Sequence, residues 1–273
     1  MPYGGRDRSS PVRDLVGRVA TSPEELLSRL GVDLGRELEE QLLSLSVHGS
    51  WVAGDFTPGR SDLDLLAVLA DDPDEGTLAR LTALHADMSA KAPEWDNHVE
   101  VDYVSVAAVE SVLAGDGSQH SMVRISPGEP IHLVHADRHY LLNWRSARDH
   151  DHLIIGRAPS EVLPPIPDDL VREVVIEHAG QWPAWLHGAS DPKFQAYAAL
   201  TMCRALAFLA TGKQCSKHAA AVWAQDVLPE WRGLITWADA CWYGRGPETT
   251  ADRTSYVRAF VQSTSRLAVE NYR

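Results

Sequence analysis

The stretch HGSWVAGDFTPGRSDLDLLAVL, residues 48–69, decides the fold of this chain. It begins with a His-Gly-Ser turn and continues through a loop punctuated by glycine and proline. It ends in the apolar run LDLLAVL at 63–69, which is typical of a covered strand. Asp62 and Asp64 lie where the loop meets this strand. Because residues i and i+2 of a strand project from the same face, we expect the two carboxylates to point together.

This pair of carboxylates predicts a magnesium site. Two like charges so close repel each other, and one is pushed toward protonation unless a divalent cation lies between them. Magnesium prefers oxygen ligands and commonly joins one or two carboxylates to the phosphates of a nucleotide. Gly49 and Ser50, separated from Asp62 by eleven residues, offer a bare backbone and a small hydroxyl for terminal phosphates. An Asp-x-Asp pair alone is common on solvent-facing strands, so it is the ordered combination that indicates a nucleotide site.

A third carboxylate is expected from the next strand. The segment VEVDYVSV, residues 99–106, alternates strictly and predicts a strand with Glu100 and Asp102 on one face. If it lies beside the first strand, Glu100 can bind the same metal or take a proton from an attacking hydroxyl. Asp102 stays open as the alternative base.

The rest of the sequence divides into two halves that differ in their predicted secondary structure. Residues 21–25 predict a capped helix start, a second helix is predicted over Leu34–Leu45, and a third over 75–91. Helices alternating with strands predict an α/β half with a mixed sheet. The proline-rich stretch 158–167 then breaks the pattern. Only helical periods follow it, over 168–187, 193–211, 216–228, 230–242 and 250–271.

We therefore predict an α+β protein with two domains, residues 1–157 with the mixed sheet and residues 158–273 as an all-helical bundle. Composition gives an ordinary globular chain of 273 residues with 44% hydrophobic and 23% charged residues. It has no apolar run of membrane-spanning length, and its first twenty residues do not resemble a secretory signal. Three unpaired cysteines favour a reducing cytoplasm.

The net charge of −13 bears on partners. Nucleic acid binding requires a basic surface, because phosphate neutralisation supplies most of the affinity, so a nucleic acid partner is not expected. An acidic surface favours cationic small molecules through long-range attraction. The same charge is also explained by solubility alone.

The quoted motifs resemble those of the streptomycin/spectinomycin adenylyltransferases, the aminoglycoside 3″- and 9-adenylyltransferases of the DNA polymerase β-like nucleotidyltransferase superfamily. Residues 48–69 match the family's Gly-Ser through Asp-x-Asp segment. The resemblance covers roughly residues 40–270 and continues into the helical half. It is carried there by Thr211-Gly212-Lys213 through Lys217, by Trp223, by Leu228-Pro229 and by Trp242-Tyr243-Gly244.

The resemblance implies a polymerase β-like nucleotidyltransferase domain followed by a helical bundle. It implies that Ser50 contacts the triphosphate of ATP, that Asp62 and Asp64 hold Mg²⁺, and that Glu100 acts as base. Lys217 and Tyr243 would close onto ATP from the helical half. The implied activity is Mg²⁺-dependent transfer of AMP from ATP to a hydroxyl of a small molecule, with release of pyrophosphate.

The acceptor implied by the resemblance is a cationic aminoglycoside-type antibiotic. Trp182, Trp185 and Asp191, together with Asp102, are the candidates to bind it. Phe194 and Tyr197 stand where polar groups would be expected. Three alternatives therefore stay open: another natural product as acceptor, a protein side chain as acceptor, or a catalytically silent nucleotide-binding module. RNA tailing is the weakest alternative because of the charge.

Overall fold

The computed structural model describes residues 21–116, 119–186, 190–245 and 253–272. The first twenty residues, for which the sequence predicts no secretory signal, lie outside these ranges. None of the helices in the described part of the chain combines the length and apolar character that a membrane-spanning segment needs.

A six-stranded mixed sheet forms the centre of the first half. Its strand order is β5-β4-β3-β2-β1-β6. The central pair β2 and β3 is parallel, and every other neighbouring pair is antiparallel. The strands are β1 (Leu42–His48), β2 (Leu63–Leu69), β3 (Val99–Ser105), β4 (Ser121–Ser126), β5 (Glu129–His135) and β6 (Leu153–Gly156).

Helices of the first half cover the sheet or connect its strands. The helix α1 begins with the predicted capping box, in which Ser22 and Glu25 each bond to the other's backbone. The predicted helix over 75–91 is confirmed as α3. The helices of this half are α1 (Pro23–Leu38), the single turn α2 (Gly49–Val52), α3 (Glu75–Lys91), α4 (Val106–Leu113) and α5 (Leu141–His150). The short α6 (Pro159–Val162) lies in the proline-rich stretch that follows.

The predicted helix over Leu34–Leu45 is wrong. Helix α1 continues only to Leu38, and β1 begins at Leu42. Leucines at 34, 38, 42 and 45 have helical spacing. However, residues 42–48 pair with β2 on one side and with β6 on the other. Their backbone N–H and C=O groups therefore form hydrogen bonds with these two strands and not within a helix.

Five long helices make up the second half, as the sequence predicts. Gly212, with φ +70°, ends the second of them in the left-handed conformation typical of a helix C-terminus. The helices are α7 (Asp168–Trp185), α8 (Pro192–Thr211), α9 (Lys217–Val227), α10 (Arg232–Trp242) and α11 (Thr254–Tyr272).

The two faces of the sheet belong to different hydrophobic cores. On β2, Leu63, Leu65, Ala67 and Leu69 pack into a core shared with α1 and α3. The alternate residues Leu66 and Val68 join the core of the helical half. Strand β3 alternates in the same way. Residues at even positions of both strands therefore face the helices of the second half.

Candidate active site

The predicted carboxylates lie on the face of the sheet that the helical half covers. In the parallel register of β2 and β3, Asp64 is paired with Glu100, and Leu66 with Asp102. All four positions are even, so their side chains share the face of Leu66. Asp62 immediately precedes β2. The expectation that the two strands are neighbours is confirmed.

Burial and mutual repulsion disturb the ionisation of both aspartates. Burial, followed by the charge of Glu100, raises the pKa of Asp64 to about 7. The pKa of Asp62 is also raised, first by burial, while its hydrogen bond to His98 opposes the shift. The Nδ1 atom of His98 lies 3.1 Å from Oδ1 of Asp62. Burial thus opposes the ionised form of both carboxylates, and a bound cation would favour it.

Gly49 makes room for Asp64. It follows the last residue of β1 and begins the turn α2. Its φ is +65°, a conformation that side chains rarely adopt, and a Cβ atom at this position would lie 1.9 Å from Oδ2 of Asp64. Glycine is therefore required at this position for two reasons: its backbone angle, and the space that the Asp64 carboxylate occupies.

Glu100 is held by the neighbouring strand β4. Its Oε1 accepts a hydrogen bond from Nη2 of Arg124 at 2.9 Å, and its Oε2 accepts one from Ser126 at 3.0 Å. Asp102 lies deeper, with 2% of its surface exposed and its Oδ1 3.4 Å from Nε of Arg124. Burial, with the charge of Glu100 next, raises the pKa of Asp102 to about 7.

A cavity of about 240 Å³ lies between the sheet and helices α5, α8, α9 and α10. We call it the first cavity. It brings together most of the residues that the sequence predicts for the site. Those in its lining are Gly49, Ser50, Asp62, Asp64, Glu100, Lys217 and Tyr243.

Lys217 points at the carboxylates from the start of α9. Its ammonium group lies 4.5 Å from the ring centroid of Trp242 and 5.4 Å from that of Tyr197, so it is not a solvated surface lysine. Burial, followed by repulsion from Arg204, lowers the pKa of Lys217 to about 8, against the attraction of Asp64. A lysine held in this way is suited to an anionic ligand that supplies the missing negative charge.

Sequence reasoning missed Arg204. Its side chain lines the first cavity, and its charge acts on Asp64 and Lys217. It has no ion-pair partner among the described residues. The sequence does contain a signal for it, namely a single arginine within the apolar run of α8. A charged side chain is rarely buried in such a run unless it has a partner or a ligand.

The mouth of the first cavity is bridged by contacts between the two halves of the chain. The hydroxyl of Tyr243 donates a hydrogen bond to Asp55 in the loop before β2. In the same loop, Nη1 of Arg60 lies 3.5 Å from the carbonyl oxygen of Trp242. The loop 53–62 is thus tied to the end of α10.

A second cavity, of about 370 Å³, adjoins the first. We call it the second cavity. Its walls come mainly from β3, β4, α5, α7 and α8. The residues that it shares with the first cavity are Glu100, Asn143, Tyr197, Arg204, Gln214 and Cys215. Glu100 thus borders both cavities.

The predicted acceptor-binding residues are not brought to these cavities. Trp182 is 3% exposed in the core of the helical half, and Trp185 is exposed at the end of α7. Asp191 is the N-cap of α8 and accepts a hydrogen bond from the backbone of Phe194. Asp102 lines neither cavity and is covered by Arg124.

The donor set fits magnesium by its chemistry. Within the described ranges no three or more His, Cys, Asp or Glu side chains form a ready-made metal cage. Asp62 is turned toward His98 and Glu100 toward Arg124. Magnesium usually takes only one or two carboxylates and completes its shell with water and substrate phosphates. Asp62 and Asp64 meet that requirement, and a cation bound between them would offset the burial and the neighbouring charges that raise the pKa of Asp64.

The chain is similar to known proteins over most of its length. A family model described as the C-terminal domain of aminoglycoside adenylyltransferase matches residues 161–266. The aminoglycoside (3'') (9) adenylyltransferase of Escherichia coli is 28% identical over 258 residues, which cover 90% of this chain and 94% of that protein. The protein of the same name from Klebsiella pneumoniae is similar to the same extent. The chain is thus similar to aminoglycoside (3'')(9) adenylyltransferases over most of its length. The predicted enzyme class, a nucleotidyltransferase, is confirmed by these relatives.

The fold of this chain is also similar to that of a solved protein. The spectinomycin adenyltransferase AAD(9) from Enterococcus faecialis, solved with ATP and spectinomycin, superposes with a TM-score of 0.72 at 18% identity. The match covers 90% of this chain and all of that chain. The α+β class, with a mixed sheet followed by a helical bundle, is confirmed. The boundary near residue 157 stays a prediction.

Proposed function

We propose that this protein transfers AMP from ATP to a hydroxyl group of a small molecule and releases pyrophosphate. One observation carries the proposal: Glu100 lies where the two cavities meet, with Asp64 beside it in the first. A base between two substrate spaces can take a proton from a group in one and direct it at a group in the other.

The first cavity has the groups that a triphosphate requires. Ser50 supplies a hydroxyl at the start of a helical turn, and Lys217 and Arg204 supply two cations that face the carboxylates. Asp62 and Asp64 would hold Mg²⁺, which when bound would offset the negative charge that gathers on the phosphates. Tyr243 lies at the mouth, bonded to Asp55.

Glu100 acts as the base in this proposal. Its carboxylate takes the proton of the acceptor hydroxyl, whose oxygen forms a new bond to the α-phosphorus of ATP. The bond from that phosphorus to the bridging oxygen breaks, and pyrophosphate leaves with the electron pair. Arg124 and Ser126 fix the carboxylate during this step. Asp102 is not suited to the role because it lines neither cavity.

The second cavity is the space for the acceptor. The names of the relatives make aminoglycoside antibiotics and spectinomycin the first compounds to test, and modification of such a compound would confer resistance. We also place the reaction in the cytoplasm, where ATP is available and Cys203, Cys215 and Cys241, all free in the structure, stay reduced. We propose no nucleic acid or membrane partner, in keeping with the net charge of −13.

A pyrophosphate-release assay tests the proposal. The purified protein is incubated with MgATP and a panel of hydroxylated compounds that includes streptomycin, spectinomycin and neutral glycosides, and products are examined by mass spectrometry for added AMP. Activity should disappear in Asp64→Asn and fall steeply in Glu100→Gln. ATP binding without AMP transfer to any acceptor, or transfer that survives both substitutions, would contradict it.

A further inference from the structure

The second cavity has few groups that could bind a cation. Among its described lining residues Glu100 is the one carboxylate, and both of its oxygens already accept hydrogen bonds from Arg124 and Ser126. Arg124 and Arg204 line the same space. The fixed charges of the lining therefore do not add up to the negative potential that would attract several ammonium groups.

Carboxylates on the surrounding elements are already paired. Asp137 accepts from His139 at 2.8 Å. Glu173 and Glu177 of α7 lie 3.0 and 3.5 Å from nitrogen atoms of Arg138. None of these three acids lines the second cavity. These three acids, outside the second cavity, are therefore engaged with basic side chains.

The titratable groups of the lining do not change this balance. Burial, followed by the charges of His139 and Arg204, lowers the pKa of His178, which keeps its ring neutral at physiological pH. Burial also raises the pKa of Tyr197, so that its hydroxyl stays protonated. Neither group becomes an anion.

What the lining does offer is apolar surface and neutral hydrogen-bonding groups. Phe208 and Tyr140 provide aromatic surface, and Val174 and Val175 provide aliphatic surface. Asn143, Thr201 and Gln214 provide neutral donors and acceptors of the kind that bind sugar hydroxyls.

We propose that the acceptor is a hydroxylated compound with an apolar or aromatic face and at most one positive charge, such as a neutral glycoside, and not a polycation. This inference rests on the proposed function, because it assigns the acceptor to the second cavity. Each ammonium group moved into the cavity would lose its hydration without gaining a carboxylate partner, which is unfavourable. A neutral sugar with an aromatic substituent would instead cover the rings and bond to the amide and hydroxyl groups.

A pair of nearly isosteric variants tests this. Thr201→Asp adds one negative charge to the wall of the second cavity, and Thr201→Asn adds an amide of the same size. Calorimetry would measure binding of streptomycin, a polycation, and of a neutral nitrophenyl glucoside, with a non-hydrolysable MgATP analogue present. Streptomycin should bind the wild type weakly and Thr201→Asp at least about tenfold more tightly, a gain expected for one new charge pair. The Thr201→Asn variant should resemble the wild type, and the glucoside should not gain from the new charge.

Two results would overturn the inference: micromolar streptomycin binding by the wild type, or no gain in a folded Thr201→Asp protein. If this variant does not fold, His178→Asp against His178→Asn gives the same comparison from α7. The proposed function is judged separately, because it fails if the wild type does not bind MgATP at all. It stands, while the present inference falls, if the wild type adenylylates streptomycin.

Discussion

Nη2 of Arg124 donates a hydrogen bond to Glu100 at 2.9 Å, while Nε of the same side chain lies 3.4 Å from Asp102. One cation thus serves two acids that occupy alternate positions of β3. The antiparallel register of β3 and β4 sets Arg124 directly opposite Asp102 and leaves its far end for Glu100. The guanidinium group of Arg124 therefore orients the carboxylate of Glu100, and the ion pair with the buried Asp102 holds that guanidinium group in place.

We predict that Arg124→Gln lowers kcat by about 10- to 100-fold, the usual effect of removing a group that orients a catalytic residue. It should also leave Asp102 buried without a cation, which destabilises the fold by about 3 kcal/mol at neutral pH and above. Without Arg124 the pKa of Asp102 rises further above its unfolded value, so stability is retained below pH ~4 and lost as pH rises through 7. Urea unfolding at pH 5 and pH 8 would measure this. The double variant with Asp102→Asn should recover stability at pH 8 but not kcat, and recovery of both would show that Arg124 has no role in catalysis.

Glu100 and Asp102 should respond differently to neutral substitution. Glu100→Gln should lower kcat by about two to four orders of magnitude with little change in ATP affinity, because it removes the base but not the phosphate-binding groups. Asp102→Asn should have a smaller effect on kcat, since its side chain reaches neither cavity. Single-turnover kinetics with saturating ATP would compare them. A larger loss in Asp102→Asn would transfer the role of base to Asp102.

Asp64→Asn should abolish AMP transfer but stabilise the protein without metal. The folded state raises the pKa of Asp64 from 3.8 to about 7, so its ionisation opposes folding. The loss of stability begins near the unfolded pKa and is complete above pH 7. In EDTA at pH 8 we expect the variant to be more stable by about 2 kcal/mol, and at pH 4 to equal the wild type. Thermal unfolding at both pH values would show this, and a variant less stable than the wild type at pH 8 would contradict it.

A pair of glycine variants should separate backbone strain from the clash with Asp64. Gly49 and Gly54 have similar φ values, +65° and +68°, but a Cβ atom at Gly54 would meet nothing within 4 Å. Gly54→Ala should therefore lose only about 1 kcal/mol of stability and keep nucleotide binding. Gly49→Ala should displace Asp64 and abolish the thermal shift produced by MgATP. Equal nucleotide binding by the two variants would show that the position of Asp64 does not matter.

Lys217→Met should lose most of the rise in melting temperature that MgATP produces, because a ligand stabilises only the state it binds. Without ligand the variant should be at least as stable as the wild type at pH 7. The fold lowers the pKa of Lys217 from 10.5 to about 8, so its charge is unfavourable below pH 8 and this penalty disappears toward pH 10.5. The exposed Lys213, just before the same helix, provides the control. A normal MgATP shift in Lys217→Met would mean that the sheet half binds the nucleotide alone.

The central strands and the long helices could be predicted because their patterns are local. The apolar run LDLLAVL and the alternating segment VEVDYV are each typical of a strand in a covered sheet. Both strands form where predicted. Strand β1 could not be predicted, because its leucines have helical spacing and only pairing with β2 and β6 makes it a strand. Strands β4, β5 and β6 lie toward the two edges of the sheet and are less buried, so their sequences give weak patterns.

The first cavity was largely predictable because its carboxylates are concentrated in two short motifs. The second cavity was not, since its lining comes from five separate elements, and no spacing along the chain relates Arg124 to His178 or Phe208. Trp182 and Asp191 illustrate the limit. Both residues have the right chemistry for a cationic sugar, but one fills the core and the other caps a helix.

Strand β2 and the helical half share a hydrophobic core, so the two halves of the chain cannot be separated or exchanged independently. Leu66 and Val68 project from the same strand face as Asp64 and are covered by the helices that follow the proline-rich connector. A fragment ending near residue 157 would expose this apolar face and lose one wall of both cavities. New acceptor preferences in such a chain must therefore arise by point substitution in the walls, because exchanging the helical half as a unit would also exchange the packing that holds the carboxylates in place.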